Sequence, residues 1–168
     1  ETGGGLTSYT GDVTVNVMLM LLIICGGLGF FVLDDIFRKR SWKKFLVYTK
    51  LVLVINAALL FGGAALFALL EWNNPAFFGR LSPEEKILAA LFQSVTTRTA
   101  GFFTVPQGSL GEASLAVSDL LMFIGGSSGS TAGGVKTVTF GVVVLSALAA
   151  MRGKSKVTVF QRTVSQAQ

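Results

Sequence analysis

Residues 13–33 hold no charged side chain for 21 consecutive positions, and residues 47–70 form a second apolar run whose one charge, Lys50, lies near its start. A helix needs about 20 apolar residues to cross the hydrocarbon core of a bilayer. Two such runs in 168 residues, 51% of them hydrophobic and 14% charged, predict an all-α integral membrane chain rather than a solvated globule. Lys50 is close enough to the start of its run to snorkel to the interface.

The remaining charges fit that reading. Asp34 and Asp35 precede Arg38, Lys39, Arg40, Lys43 and Lys44, and a second basic cluster, Arg152, Lys154, Lys156 and Arg162, closes the chain. Short Lys/Arg-rich connections stay on the cytoplasmic side, so residues 34–46 and 152–168 are expected inside and the N-terminal segment 1–12 outside. Trp42, Phe45 and Tyr48 lie among the first set of charges, as in a segment lying at headgroup level. The net charge of +5 therefore reports topology, and nucleic acid is not an expected partner. The single cysteine, Cys25, is expected in the helix core, and the chain has no histidine to act as base or metal ligand. The sequence opens on Glu1, Thr2 and Gly3, which reads as a fragment of a longer chain.

Two stretches cannot be ordinary spanning helix. After Trp72 and the turn-rich residues 73–82, Ser82-Pro83-Glu84-Glu85 carries an N-cap, a first-turn proline and a capping box. The helix it opens, 83–95, is too short to span. It leads into Val95-Thr96-Thr97-Arg98-Thr99-Ala100-Gly101-Phe102-Phe103-Thr104, a re-entrant loop over 96–104, with an outer connection at 105–114. The apolar segment 115–151 is then broken in mid-membrane by Gly125-Gly126-Ser127-Ser128-Gly129-Ser130-Thr131-Ala132-Gly133-Gly134. Irregular backbone persists at membrane depth only when buried in protein or lining a wet cavity. A cation filter needs extended backbone, a glycine with unusual dihedrals and a short helix whose negative end points at the ion. Residues 99–102 offer all three, and 125–134 is expected as a gate or cavity wall beside them.

Both stretches, as Ser94-Val95-Thr96-Thr97-Arg98-Thr99-Ala100-Gly101-Phe102 and Met122-Phe123-Ile124 running through 125–134 to Val135-Lys136-Thr137, resemble the Trk/Ktr/HKT potassium-transporter superfamily, most like its Ktr membrane, pore-forming subunit. Gly26-Gly27-Leu28-Gly29-Phe30 and Thr49-Lys50 share in the likeness. The resemblance implies four helix, pore-loop, helix repeats around one pore, with this chain as the end of the second repeat and the whole third. It implies K+ as transported ion, with Na+ possible and no organic cofactor, coordinated by carbonyls of Thr99, Ala100, Gly101 and Phe102 and supported by Thr97 and Arg98. It further implies that 125–134 with Lys136 gates the pore. The expected partners are lipid, the remaining repeats, a second copy in a homodimer and a cytosolic nucleotide-binding regulatory ring, at the plasma (inner) membrane.

Alternatives stay open at this stage. Arg98 braces the filter or pairs at the outer mouth with Glu84, Glu85 or Glu112. Lys136 plugs the cavity, pairs with a carboxylate or repels cations. A non-conducting assembly module and a Ser-Lys intramembrane protease using Ser128 or Ser130 with Lys136 are the rival functions. A Walker-type phosphate loop fails because Val135, not glycine, precedes Lys136. Gly126-Ser127-Ser128-Gly129 matches a rhomboid-type G-x-S-G pattern but lacks the histidine that chemistry requires.

Overall fold

The computed structural model describes residues 5–152, 158–159 and 162–163; Lys154 and Lys156 of the closing basic cluster lie outside them. Six helices carry the fold: α1 (Val13–Leu28), α2 (Phe30–Lys39), α3 (Val47–Glu71), α4 (Pro83–Thr96), α5 (Glu112–Phe123) and α6 (Thr137–Met151). Extended pairing among the described residues is confined to two-residue strands, β1 (Thr158–Val159) and β2 (Arg162–Thr163), and a bridge between Ile124 and Val135.

At 25 residues, α3 is roughly 37 Å long. It is the one helix among the described residues that is long and apolar enough to cross a membrane unaided. It packs along α4 and also meets α1, α2, α5 and α6. Gly63 makes the α3–α4 contact possible, because a β-carbon there would press into the Ser94 hydroxyl and stand 2.9 Å from Leu121 Cδ1. In return the Ser94 hydroxyl donates to the Leu60 carbonyl at 2.7 Å. Around this contact Phe67, Phe78, Ala89, Ala90, Val105, Leu110 and Leu121 form the main core. The perimeter is apolar instead of polar: Met18, Leu22, Phe61, Leu69 and Leu120 are all exposed, as a surface meeting lipid or further helices requires.

Two expectations are corrected here. Residues 13–33 do not form a single helix. The chain breaks at Gly29 and bends by 99° between α1 and α2, so α1 is only 16 residues long and Leu33 belongs to the turned-away helix. Gly29 adopts φ 79°, and a β-carbon on it would lie 2.8 Å from the Ser128 carbonyl oxygen. Cys25, expected in the core, is exposed. Beyond the bend, Asp35 ties α2 to α3: one carboxylate oxygen pairs with Lys39 at 2.6 Å and the other accepts from the Leu46 N–H at 2.9 Å. Burial alone would raise the Asp35 pKa, but these bonds outweigh it and hold it at about 2. The contribution of this tie to stability is therefore full above the ordinary carboxyl range and is lost only as pH falls toward that value.

At the opposite end of α3, Glu71 is buried. It accepts from the Gly111 N–H at 2.8 Å and from the Asn74 amide, which in turn donates to the Ser109 carbonyl at 2.8 Å. One carboxylate thus fixes the end of α3, its turn and the start of α5. Lys86 closes the same edge, donating to the Trp72 carbonyl at 2.9 Å with its ammonium 5.1 Å from the Trp72 ring centre.

Replacing Glu71 by Ala strands the Gly111 N–H and is expected to cost about 1–3 kcal/mol, read as a lowered melting temperature in detergent. Gly63→Ala is expected to cost about as much through overpacking, and Ser94→Gly in the same chain should recover part of the loss.

Candidate functional site

The re-entrant unit begins with a helix whose start is fully capped. The Ser82 hydroxyl accepts from the Glu85 N–H at 3.4 Å and the Glu85 carboxylate accepts from the Ser82 N–H at 2.8 Å, with Pro83 at the first helical position. The helix ends among buried groups: Phe92, Gln93, Ser94, Val95, Thr96, Thr97 and Arg98 are all buried. Gln93 is held by reciprocal amide bonds with Gln107 at 3.2 and 3.3 Å. The carbonyl end of α4 consequently delivers the chain into residues 97–104 at a fixed angle.

Two residues of that loop have left-handed backbone, Thr99 at φ 61° and Gly101 at φ 79°. For threonine this is an unusual conformation held by its surroundings. No atom lies within 4 Å of the position a β-carbon would take on Gly101, so glycine is required there by the dihedral and not by lack of room. The far limb is strapped down. The Phe102 carbonyl accepts from the Thr96 hydroxyl, the Phe103 carbonyl from the Leu6 N–H at 2.9 Å, and the Thr104 carbonyl from the Thr10 hydroxyl at 2.8 Å. Among the described residues, no hydrogen bond is made to the carbonyls of Thr99, Ala100 or Gly101. Phe102, grouped with them on sequence, differs in having its carbonyl engaged. Cavities of ≈ 270 and ≈ 390 Å³ flank the segment, and Thr99 and Phe102 line both.

Arg98 is buried with its guanidinium on Asn56, donating to the side-chain oxygen and, at 2.9 Å, to the Asn56 backbone carbonyl. Asn56 also donates to the Val52 carbonyl at 2.8 Å. The geometry joins Arg98 to this amide and to none of Glu84, Glu85 and Glu112. Thr97 turns its hydroxyl back to the Ser94 carbonyl at 2.9 Å, closing the end of the helix.

The glycine-serine stretch folds as a tight crossing. A β-carbon on Gly125 would collide with the Gly133 carbonyl, and one on Gly126 would meet Ala132 Cβ at 2.7 Å. The limbs are joined by the Gly125 N–H to the Val135 carbonyl at 3.0 Å and the Val135 N–H to the Phe123 carbonyl at 2.9 Å. Thr137 seals the base, its hydroxyl donating to the Gly125 carbonyl at 2.8 Å. Lys136 folds back on the loop itself, its ammonium donating to the Ala132 carbonyl at 3.0 Å. That bond engages neither a carboxylate nor the hydroxyls of Ser128 and Ser130.

This crossing is bonded to the rest of the site on two sides. The Gly133 N–H donates to the Thr99 hydroxyl at 3.0 Å, placing 125–134 directly against the re-entrant loop. On its other side, the Ser127 N–H and hydroxyl donate to the Gly27 carbonyl at 3.0 and 3.3 Å, the hydroxyl also reaches the Leu28 carbonyl, and the Phe30 N–H donates to the Gly129 carbonyl at 3.2 Å. The break between α1 and α2 is filled by this loop. Thr131 and Ala132 line the ≈ 270 Å³ cavity together with Gly26, Gly27 and Arg98.

Sequence reasoning passed over Asn56, the Gln93–Gln107 pair and the strap from Leu6 and Thr10. Asn56 carried a usable signal, since a side-chain amide in the middle of an apolar run at membrane depth is costly unless it serves a contact. Residues 5–10 carried none.

Residues 2–168 match the family profile described as TrkH, cation transport protein. Ktr system potassium uptake protein B of Bacillus subtilis is 42% identical over 161 residues, covering 95% of this chain and 36% of that protein. Potassium/sodium uptake protein NtpJ of Enterococcus hirae is 38% identical over 165 residues, covering 98% and 36%. The crystal structure of the potassium transporter TrkH from Vibrio parahaemolyticus shares the fold with a TM-score of 0.73 at 20% identity, over 96% of this chain and 35% of that one. The chain thus spans about a third of the length of these relatives. With essentially its whole length inside the profile, this chain belongs to the TrkH cation transport protein family.

Proposed function

We propose that this chain supplies one quarter of a potassium-selective pore, with the carbonyls of Thr99, Ala100 and Gly101 as its principal ion ligands, Phe102 completing the segment, and 125–134 as the gate beside it. The observation that carries the reading is the set of hydrogen bonds around the loop. Residues 102–104 spend their carbonyls on the protein, whereas the three before them are free of such bonds among the described residues and stand between two cavities. Carbonyls freed at the negative end of a short helix replace water around a cation without chemistry. The family is one of cation transport, not catalysis, and relatives are named for uptake of potassium, and of potassium and sodium. K+ is accordingly the proposed cargo, with Na+ as a companion.

In this reading, Arg98 and Thr97 support the filter from behind, and Lys136 stabilises the closed loop through its own Ala132 carbonyl. The three other filter segments come from the remaining repeats of a longer chain, which pairs with a second copy and a cytosolic nucleotide-binding ring. The basic turn after α2 faces the cytoplasm of the cell membrane and residues 5–12 face outside. The bond from the Gly133 N–H to the Thr99 hydroxyl makes the gate's closed position and the filter's backbone interdependent.

Gly101→Ser in the intact transporter forces a side chain into left-handed backbone at about 1–3 kcal/mol. Potassium uptake should fall by roughly 10- to 100-fold, and unchanged uptake and selectivity would remove the filter assignment. Thr99→Ala strands the Gly133 N–H and is expected to raise resting potassium flux severalfold, while Thr99→Ser, which keeps the acceptor, stays near wild type. Shortening 125–134 should raise flux in the same assay, and equal rates would count against a gate.

A further inference from the structure

The 99° bend at Gly29 lays α2 along the membrane plane when α1 runs across it, and the two faces of α2 differ. Val32 and Asp35 are buried against the start of α3. Facing away, Phe30, Phe31 and Phe37 are 71%, 64% and 71% exposed, and Asp34 and Arg38 neutralise each other at 2.7 Å. The turn that follows adds exposed Arg40, Trp42, Lys43 and Lys44. Lys39 is paired with Asp35, but no ion pair among the described residues engages Arg40, Lys43 or Lys44. Three unpaired cations thus adjoin three exposed aromatic rings, with Trp42 packed edge-on against Phe45 at 5.9 Å.

We propose that α2 and the turn 40–46 form a seat for anionic phospholipid. Phe30, Phe31 and Phe37 enter the acyl boundary, and Arg40, Lys43 and Lys44 meet the lipid phosphates. Lipid fits better than an acidic protein because a helix carrying three exposed rings runs directly into a turn carrying three unpaired cations, matching a surface that offers hydrocarbon and phosphate within a few ångströms of depth. The seat also touches the glycine-serine crossing. Besides the Phe30 N–H bond to Gly129, a β-carbon on Gly129 would stand 3.0 Å from the Phe31 ring, and the Tyr48 hydroxyl donates to the Ser128 carbonyl at 3.3 Å. Lipid occupancy therefore bears on the position of 125–134; that second step rests on the gate reading, whereas the seat itself does not.

The test uses the intact transporter in uncharged detergent, melted with added phosphatidylglycerol or phosphatidylcholine. Phosphatidylglycerol is expected to raise the melting temperature by roughly 3–5 °C and phosphatidylcholine to leave it unchanged. A combined Arg40→Gln, Lys43→Gln, Lys44→Gln variant should melt like wild type without lipid and lose the rise. An equal rise with both lipids, or a rise that survives in the variant, overturns the seat, as does a rise given by an acidic cytosolic protein and not by phosphatidylglycerol. In phosphatidylcholine vesicles with and without phosphatidylglycerol, potassium flux should change severalfold for wild type and not for the variant. Flux indifferent to lipid alongside an intact melting shift overturns the coupling to 125–134 and supports the seat alone.

Discussion

A backbone amide without a partner costs several kcal/mol in hydrocarbon, and the whole arrangement of this chain answers that cost. Residues 125–134 cannot be helical, so they bond to themselves through Gly125 and Val135 and to the interrupted end of α1 through Ser127. The break at Gly29 and the crossing at Gly125 are therefore one solution reached from two places in the chain. Each supplies the donors or acceptors the other would otherwise leave bare. The re-entrant loop joins the same system through Thr99 and Gly133.

The second organising element is α3. Its glycine face at Gly63 admits α4, its mid-helix amide at Asn56 receives the Arg98 guanidinium, and its end carboxylate at Glu71 fixes the turn into α5. Here the buried guanidinium has its donors taken by an amide side chain and its backbone carbonyl, with no carboxylate among those partners. Polar contacts thus hold the loop at Arg98, and the residues that follow, Thr99, Ala100 and Gly101, line the flanking cavities.

Much of this was legible from residue patterns. The apolar runs announced helices, Ser82-Pro83-Glu84-Glu85 announced the start of α4, and the glycine-serine run announced a break in the last apolar segment. What stayed hidden depended on partners far along the chain. Gly26-Gly27-Leu28-Gly29 reads as a packing face because its bend is held by Ser127 and Gly129, about 100 positions later. Glu71 and Asn56 look like isolated polar residues until Gly111 and Arg98 are folded against them. Phe102 could not be separated from its neighbours by composition, since only the Thr96 hydroxyl distinguishes its carbonyl.

The crossing of Gly125 over Gly133 has a mechanical consequence. Its limbs touch backbone to backbone and are pinned at the base by Val135 and Thr137, so the segment resembles a knuckle more than a rope. Displacing it means parting a few bonds at its rim and swinging a preformed body aside, with little slack to take up and little chain entropy to gain. Any displacement of such a part is therefore a movement of the whole segment, its cost set by the rim bonds that must part.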